Sequence, residues 1–279
     1  MYGRIDLHIH TYYSDGLNSP VEILEIARSK KLRAFAICDH DNLQGYSEIR
    51  NLLRTDDPEL ISGVELSAGK GTDDIHLLGY FIDTDNPALT GTLADFREKR
   101  NRRGEIMLSK LKKMGVEVPL ELVKEIAGNS AIGRPHVADA LLRIGAVKSY
   151  EAAFGKYIGD KSPAYVPKEN MSPAEAIALI HSAGGLAVLA HPGIGNVSRF
   201  IDDLVPLGLD GIEIYHPNHN SQHRTRYKKI AQQHNLLITG GSDFHGRDGK
   251  YGLIGSEPVG YDILESLKAR YNSRNRGLH

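Results

Sequence analysis

The residues with the greatest chemical potential stand near the start of the chain. The stretch DLHIHTYYSDG sets His8 and His10 one strand repeat apart, with Asp15 in the adjoining turn of small and polar residues. Successive side chains of an extended segment point to opposite faces. Alternation therefore sends Ile5, Leu7 and Ile9 to one side and Asp6, His8 and His10 to the other. Two imidazoles on one face can grip a single cation. Similar residues recur downstream: His40 in CDHD, Glu65 in GVELS, His76 in IHLLGY, His191 in LAHPG, and Asp243 and His245 in GSDFHG. Imidazoles and carboxylates without thiolates suit Zn, Fe or Mn in a reactive centre better than a structural zinc site.

These side chains need elements to bring them together. Seven short apolar runs read as strands: Ile5–His10, Ala34–Asp39, Leu60–Leu66, Ile75–Phe81, Leu186–His191, Gly211–Tyr215 and Leu236–Gly241. Helices alternate with several of them. Ser19-Pro20-Val21-Glu22 and Ser172-Pro173-Ala174-Glu175 each offer an N-cap serine, an early proline and a glutamate that closes a capping box. Strand–helix alternation predicts a parallel sheet, and in α/β barrels the C-terminal strand ends share one face, where active sites sit. The segment from Leu66 to Ile75 is too short for a crossover helix, which predicts a hairpin or a distorted corner there. From 87 to 163 only helical patterns appear, so the expected organisation is a discontinuous barrel domain, 1–86 with 164–279, and a helical insert acting as a cap. The insert's basic helix, Phe96–Lys113, carries eight Lys or Arg against two Glu, which reads first as a solvated face.

Composition bounds the rest. The 279 residues carry a formal net charge of −1, so no overall basic field marks a binder of long nucleic acid. Cys38 is the single cysteine, which rules out an intrachain disulfide and a cysteine-rich metal site. No signal-peptide pattern opens the sequence, and no apolar run is long enough to span a bilayer. A soluble cytoplasmic protein with no obligate protein partner is the expectation. His181, His223, His234 and His279 fall in helical or terminal contexts and are expected at the surface.

Taken as a set, DLHIHTYYSDG, DHDN, GVE, HLLGY, AHPG and GSDFH resemble the motifs of the polymerase-and-histidinol-phosphatase (PHP) superfamily. The resemblance implies a distorted seven-stranded (β/α)7 TIM-like barrel that holds two to three divalent metal ions. His8, His10, Glu65 and Asp243 would surround one metal. Glu65 would bridge to a second, also held by His76 and His191, and Asp15, His40 and His245 would hold a third. Many members have histidine where this chain has Asp15; a carboxylate is a harder ligand and favours Mn or Fe over an all-zinc cluster. Such cations make hydroxide available near neutral pH and neutralise charge on a phosphoryl group. The expected reaction is hydrolysis of a phosphoester by a metal-bridging hydroxide, with Glu65 and Asp243 at its centre.

The run from REKRNRRG through AIGRPHVADALLRIG to EAAFGKYIGDKSPAYVPK resembles the branch that dephosphorylates nucleoside 3′,5′-bisphosphates, some members of which also trim short RNA from the 5′ end. In GRPH, Pro135 fits the first position of a helix, so Arg134 and His136 flank a helix start that favours an anion. Arg134 and His136 are thus candidates to bind substrate, as are Asn196 and Arg199 on the loop after His191. His216, after the sixth strand, is a candidate to orient substrate or protonate the leaving oxygen. The competing expectations are a histidinol-phosphate phosphatase, which would share the barrel and metals, and a non-catalytic nucleotide-binding module.

Overall fold

The computed structural model describes residues 3–70, 73–246 and 252–275. One sheet of seven strands runs in sequence order: β1 (Ile5–Ile9), β2 (Ala34–Ile37), β3 (Glu59–Lys70), β4 (Asp73–Tyr80), β5 (Leu186–Leu189), β6 (Gly211–Tyr215) and β7 (Leu237–Gly240). β1, β2 and β3 are parallel, β4 runs antiparallel to both its neighbours, and β5, β6 and β7 are parallel again. The hairpin expected between Leu66 and Ile75 is this β3–β4 pair, in register from Gly63 opposite Tyr80 to Lys70 opposite Asp73. The sheet nearly closes on itself as a TIM-like barrel. Across the seam, the His10 N–H donates to the Phe244 carbonyl at 3.0 Å and the Ile5 N–H to the Val259 carbonyl at 3.1 Å.

Both predicted capping boxes form. The Ser19 and Ser172 hydroxyls accept from the Glu22 and Glu175 N–H groups, and each glutamate carboxylate accepts from its serine's backbone N–H at 2.7 Å, fixing where helices Pro20–Ser29 and Pro173–Ser182 begin. The strict alternation expected in the first strand does not hold. Ile5 and Leu7 pack with Ala34, Ala36 and Cys38, whereas Ile9 packs with Phe35, Ile37 and the helix residues Ile23, Leu24 and Ala27. The β1–β2 register shifts between Asp6 and Ile9. A bulge adds one residue and re-aims the side chains beyond it, so Ile9 turns toward the surrounding helices.

By contacts, the chain forms two compact units, residues 1–91 with 170–279, and residues 92–169. The second unit is helical and has its own apolar core, which includes Met107, Leu111, Val123, Val137, Leu141 and Ile158. Three cations of its basic helix are internal ties: Arg97, Arg103 and Lys110 donate to the carbonyls of Asn129, Val166 and Tyr165. His181, His223 and His234 are half-buried, contrary to the surface expected of them, and His181 sits 2.9 Å from Asp210. His279 lies outside the described residues. Among the described residues, no helix is long and apolar enough to cross a membrane.

Candidate active site

The parallel strands deliver side chains from their C-terminal ends, and β4, running the other way, delivers His76 near its beginning. Ser67 of β3 lies opposite His76 in the ladder, so the one antiparallel strand brings its histidine beside Glu65. Glu65 is fully buried, and its oxygens face five imidazoles. Oε1 lies 2.9 Å from His76 Nδ1 and 3.0 Å from His191 Nε2. Oε2 lies 3.4 Å from His8 Nε2, 3.2 Å from His10 Nε2 and 3.2 Å from His40 Nδ1. Asp243 Oδ1 lies 3.4 Å from His8 Nε2 and 3.2 Å from His10 Nε2. Asp15 sits 3.1 Å from His245 Nε2, 3.8 Å from His10 and 3.9 Å from His40. All nine residues proposed from sequence as metal ligands thus fall in one cluster.

The cluster fits divalent cations better than it fits its own hydrogen bonds. The buried His40 Nδ1 and His76 Nδ1 approach Glu65, and Asp15 Oδ1 approaches His245, without the geometry of a hydrogen bond. His8 Nε2 and His10 Nε2 face each other at 3.1 Å, a contact in which one lone pair must meet another unless a proton or a cation lies between them. Two ligands at ~2.1 Å from one cation stand roughly 3.0–3.4 Å apart for right-angle to tetrahedral arrangements, which matches most of the separations in this cluster. Among the described residues, three sets of potential ligand atoms converge tightly enough to share an ion: His10, Asp15, His40 and His245; His8, His10 and Asp243; and His40, Glu65 and His76. His10 and His40 each belong to two sets, an overlap that the assignment from sequence lacked.

The electrostatics agree. Burial alone would raise the carboxyl pKa of Glu65, yet His40, His76 and His8 outweigh it and hold the group well below the usual range. Asp243 and Asp15 are held down in the same way by His8, His10 and His216, and by His245 and His40. Burial opposes charge on His10, but Asp243 and Glu65 push it up to about 10. His40 goes the other way, down to about 3, because burial and the neighbouring His10 and His76 outweigh the attraction of Glu65 and Asp15. Anionic oxygens that raise the basicity of buried imidazoles describe a place that stabilises positive charge.

Likeness to known proteins points the same way. The PHP domain signature matches residues 6–181, well over half of the chain. The chain belongs to the PHP family. This PHP protein is 33% identical over 248 residues to the 3′,5′-nucleoside bisphosphate phosphatase of Chromobacterium violaceum, covering 87% of each chain. It is 33% identical over 247 residues to the 5′-3′ exoribonuclease Rnm of Escherichia coli, covering 86% of this chain and 84% of that one. Among solved structures it resembles one from Bifidobacterium adolescentis, provisionally named a metal-dependent phosphoesterase, with a TM-score of 0.83, 31% identity and coverage of 95% and 96%. This PHP protein is accordingly a phosphoesterase with side-chain clusters able to bind metal.

The remaining sequence candidates occupy varied surroundings. His216 is buried, accepts from the Asn218 N–H at 3.1 Å through Nδ1, and so donates from Nε2 to Asp243 Oδ2 at 3.2 Å. Arg134 begins the helix Arg134–Arg143, one residue earlier than expected, which leaves Pro135 at its second position. Its guanidinium lies 5.8 and 5.6 Å from the ring centres of Phe154 and Tyr165. His136 is buried and closes that helix start, its Nδ1 accepting from the Gly133 N–H at 3.0 Å. Asn196 and Arg199 are exposed, and Arg199 donates to Asp73 at 2.6 Å.

Sequence reasoning missed the carboxylates behind the cluster. Asp39 accepts from the Thr11 N–H, the Thr11 hydroxyl and the Ser14 hydroxyl, all at 2.7 Å, and so pins the loop that carries Asp15. Asp6 accepts from the N–H groups of His8, Ser242 and Gly255 and ties β1 across the seam. Glu213 lies behind His8 at 2.9 Å. Its one signal was a carboxylate inside the apolar run GIEIY, where water cannot solvate it. His219 is held neutral, with its pKa pushed down to about 4 by burial, and it links the loops after β5 and β6 by accepting from Gly193 N–H and donating to the Ile214 carbonyl.

Proposed function

We propose that this chain removes a phosphate from a nucleotide phosphomonoester, with a nucleoside 3′,5′-bisphosphate as the preferred substrate. The observation that carries the reading is the convergence of five imidazoles, from strands and loops far apart in sequence, around the two oxygens of Glu65, with Asp243, Asp15 and His245 beside them. Two or three divalent cations, with Mn or Fe favoured by the carboxylate at Asp15, would supply Lewis acidity toward water and phosphate there. Glu65 is placed between the ligand sets and holds them at a fixed spacing. Asp243 joins His8 and His10, and His216 holds its second oxygen, so we assign His216 to positioning Asp243.

Arg134 supplies the clamp for the phosphate that is not cleaved. Its planar guanidinium suits bidentate contact with an anion, and Asp160, which it now meets at 2.6 Å, is the group the phosphate would displace. The helical unit 92–169 acts in this reading as the cap that selects substrate. A cytoplasmic setting suits the lone buried cysteine.

Trimming of short RNA from the 5′ end is a second reading, favoured by the equal likeness to the Escherichia coli exoribonuclease. The test is kcat/KM on a panel of 3′,5′-bisphosphates, mononucleotides, histidinol phosphate and a 5′-phosphorylated short RNA. The bisphosphates lead the panel if the first reading is right; histidinol phosphate leading would overturn it.

A further inference from the structure

Glu213 is the third residue of β6, between Ile212 and Ile214, and all three are fully buried. A carboxylate so far from water must be compensated, and each of its oxygens has a partner. Oε1 lies 2.9 Å from His8 Nδ1, and Oε2 accepts from the backbone N–H of His191 at 2.8 Å. One donor comes from β1 and the other from the turn just past β5, and the latter belongs to a strained residue: His191 has φ +26°, outside the regions that non-glycine residues favour.

We propose that Glu213 is a positioning residue that sets the tautomer of His8 and locks the end of β5 beneath His191, so that both imidazoles present lone pairs to the cations. A neutral imidazole carries one N–H. With an anionic oxygen behind Nδ1, the proton stays on Nδ1 and the Nε2 lone pair points at the group formed with His10, Glu65 and Asp243. Carboxylates placed behind metal-bound histidines orient the ring and raise its basicity. Here the same carboxylate also holds the backbone of a second histidine, which couples the His8 and His191 sides of the cluster mechanically.

The requirement is for two acceptors at one side-chain end. Glutamine has the same length but a single acceptor oxygen. If that oxygen serves the His191 N–H, the amide NH2 faces His8 Nδ1 and drives the proton to Nε2, where it blocks a ligand position. If it serves His8, two N–H groups collide at His191. Either outcome leaves the core volume unchanged.

The inference rests on the reading that the cluster holds divalent cations, and the experiment separates the two. Chelator-treated full-length protein, wild type and Glu213→Gln, is titrated with Mn²⁺ by calorimetry and electron paramagnetic resonance, with circular dichroism as the check on folding. Wild type is expected to bind Mn²⁺, and E213Q to lose roughly ten- to a hundredfold in affinity at one site, with the others kept. Wild type that binds no Mn²⁺ or Zn²⁺ overturns the metal reading and this inference with it. Equal Mn²⁺ binding by both proteins, or the same loss at every site, overturns this inference alone. If E213Q does not fold, long-range ¹H–¹⁵N spectra of wild-type histidines decide: His8 protonated at Nδ1 supports the proposal, and protonated at Nε2 overturns it.

Discussion

Arg134 and Asp160 face each other across 2.6 Å, the arginine partly covered and the aspartate largely in solvent. The guanidinium proposed to take a phosphate therefore already has a counter-ion, but a solvated one. Exposed pairs of this kind contribute ~0–1 kcal/mol, so a doubly charged phosphate can displace Asp160.

Arg134→Ala should lower kcat/KM for a 3′,5′-bisphosphate by on the order of a hundredfold, the loss of a charge-assisted bond of ~2–3 kcal/mol. Hydrolysis of an aryl phosphate, which has no second phosphate, should hardly change. Asp160→Asn should lower KM for the bisphosphate by about two- to fivefold, within the ~0–1 kcal/mol of an exposed pair. Equal losses on both substrates in Arg134→Ala would show that the arginine supports the fold instead.

Glu65→Ala and Asp243→Ala should each cut phosphate release by at least roughly a hundred- to a thousandfold, the scale seen when one electrostatic stabiliser is removed. Far-ultraviolet circular dichroism should stay close to wild type. Near-normal turnover with full metal content in either variant would remove the residue from the centre.

Dialysis against a chelator should abolish activity and lower the melting temperature by about 5–10 °C, as expected if saturating ions contribute ~2–4 kcal/mol. Mn²⁺ should restore activity at least as well as Zn²⁺. Because His10 is pushed up to about 10 when no cation competes for it, cations must displace a proton, and apparent metal affinity should rise with pH from about 6 to 9. A pH-independent affinity would contradict this.

Far from the site, Arg28 donates to both oxygens of Asp57 along one guanidinium edge, from Nε at 2.6 Å and Nη2 at 2.7 Å, and holds its carboxyl down to about 2. The folded pKa lies below the unfolded one of ~3.9, so the pair stabilises fully above that value and is lost as pH falls through about 2. Asp57→Asn should lower the melting temperature by ~2–4 °C at neutral pH, for a contribution of about 1 kcal/mol. The difference from wild type should shrink toward zero near pH 2. A gap that persists there would mean that shape, not charge, explains the loss.

Much of this was legible in sequence because the clustered histidines and carboxylates sit in short motifs at or near strand ends. The hairpin was legible as well, since the few residues between Leu66 and Ile75 cannot hold a crossover. What lay hidden depends on pairing or on backbone conformation. The bulge in β1 exists only in register with β2, and no pattern in IDLHI announces it. Asp41, His191 and Asp243 take φ values of +48°, +26° and +50°, turns that reading by glycine and proline cannot detect. His136 looked like an anion binder because helix starts attract anions, but its ring bends back to serve its own helix.

The seam between β1 and the segment after β7 has a consequence for how the protein is made. Asp6 must find Ser242, 236 residues away. At synthesis rates of roughly 5–20 residues per second, Asp6, His8 and His10 wait on the order of 10–50 s before their partners leave the ribosome. During that interval the nascent chain carries an open histidine pair without the Asp243 carboxylate that later joins it. The pocket is therefore completed only when the segment after β7 has been made, 236 residues after Asp6.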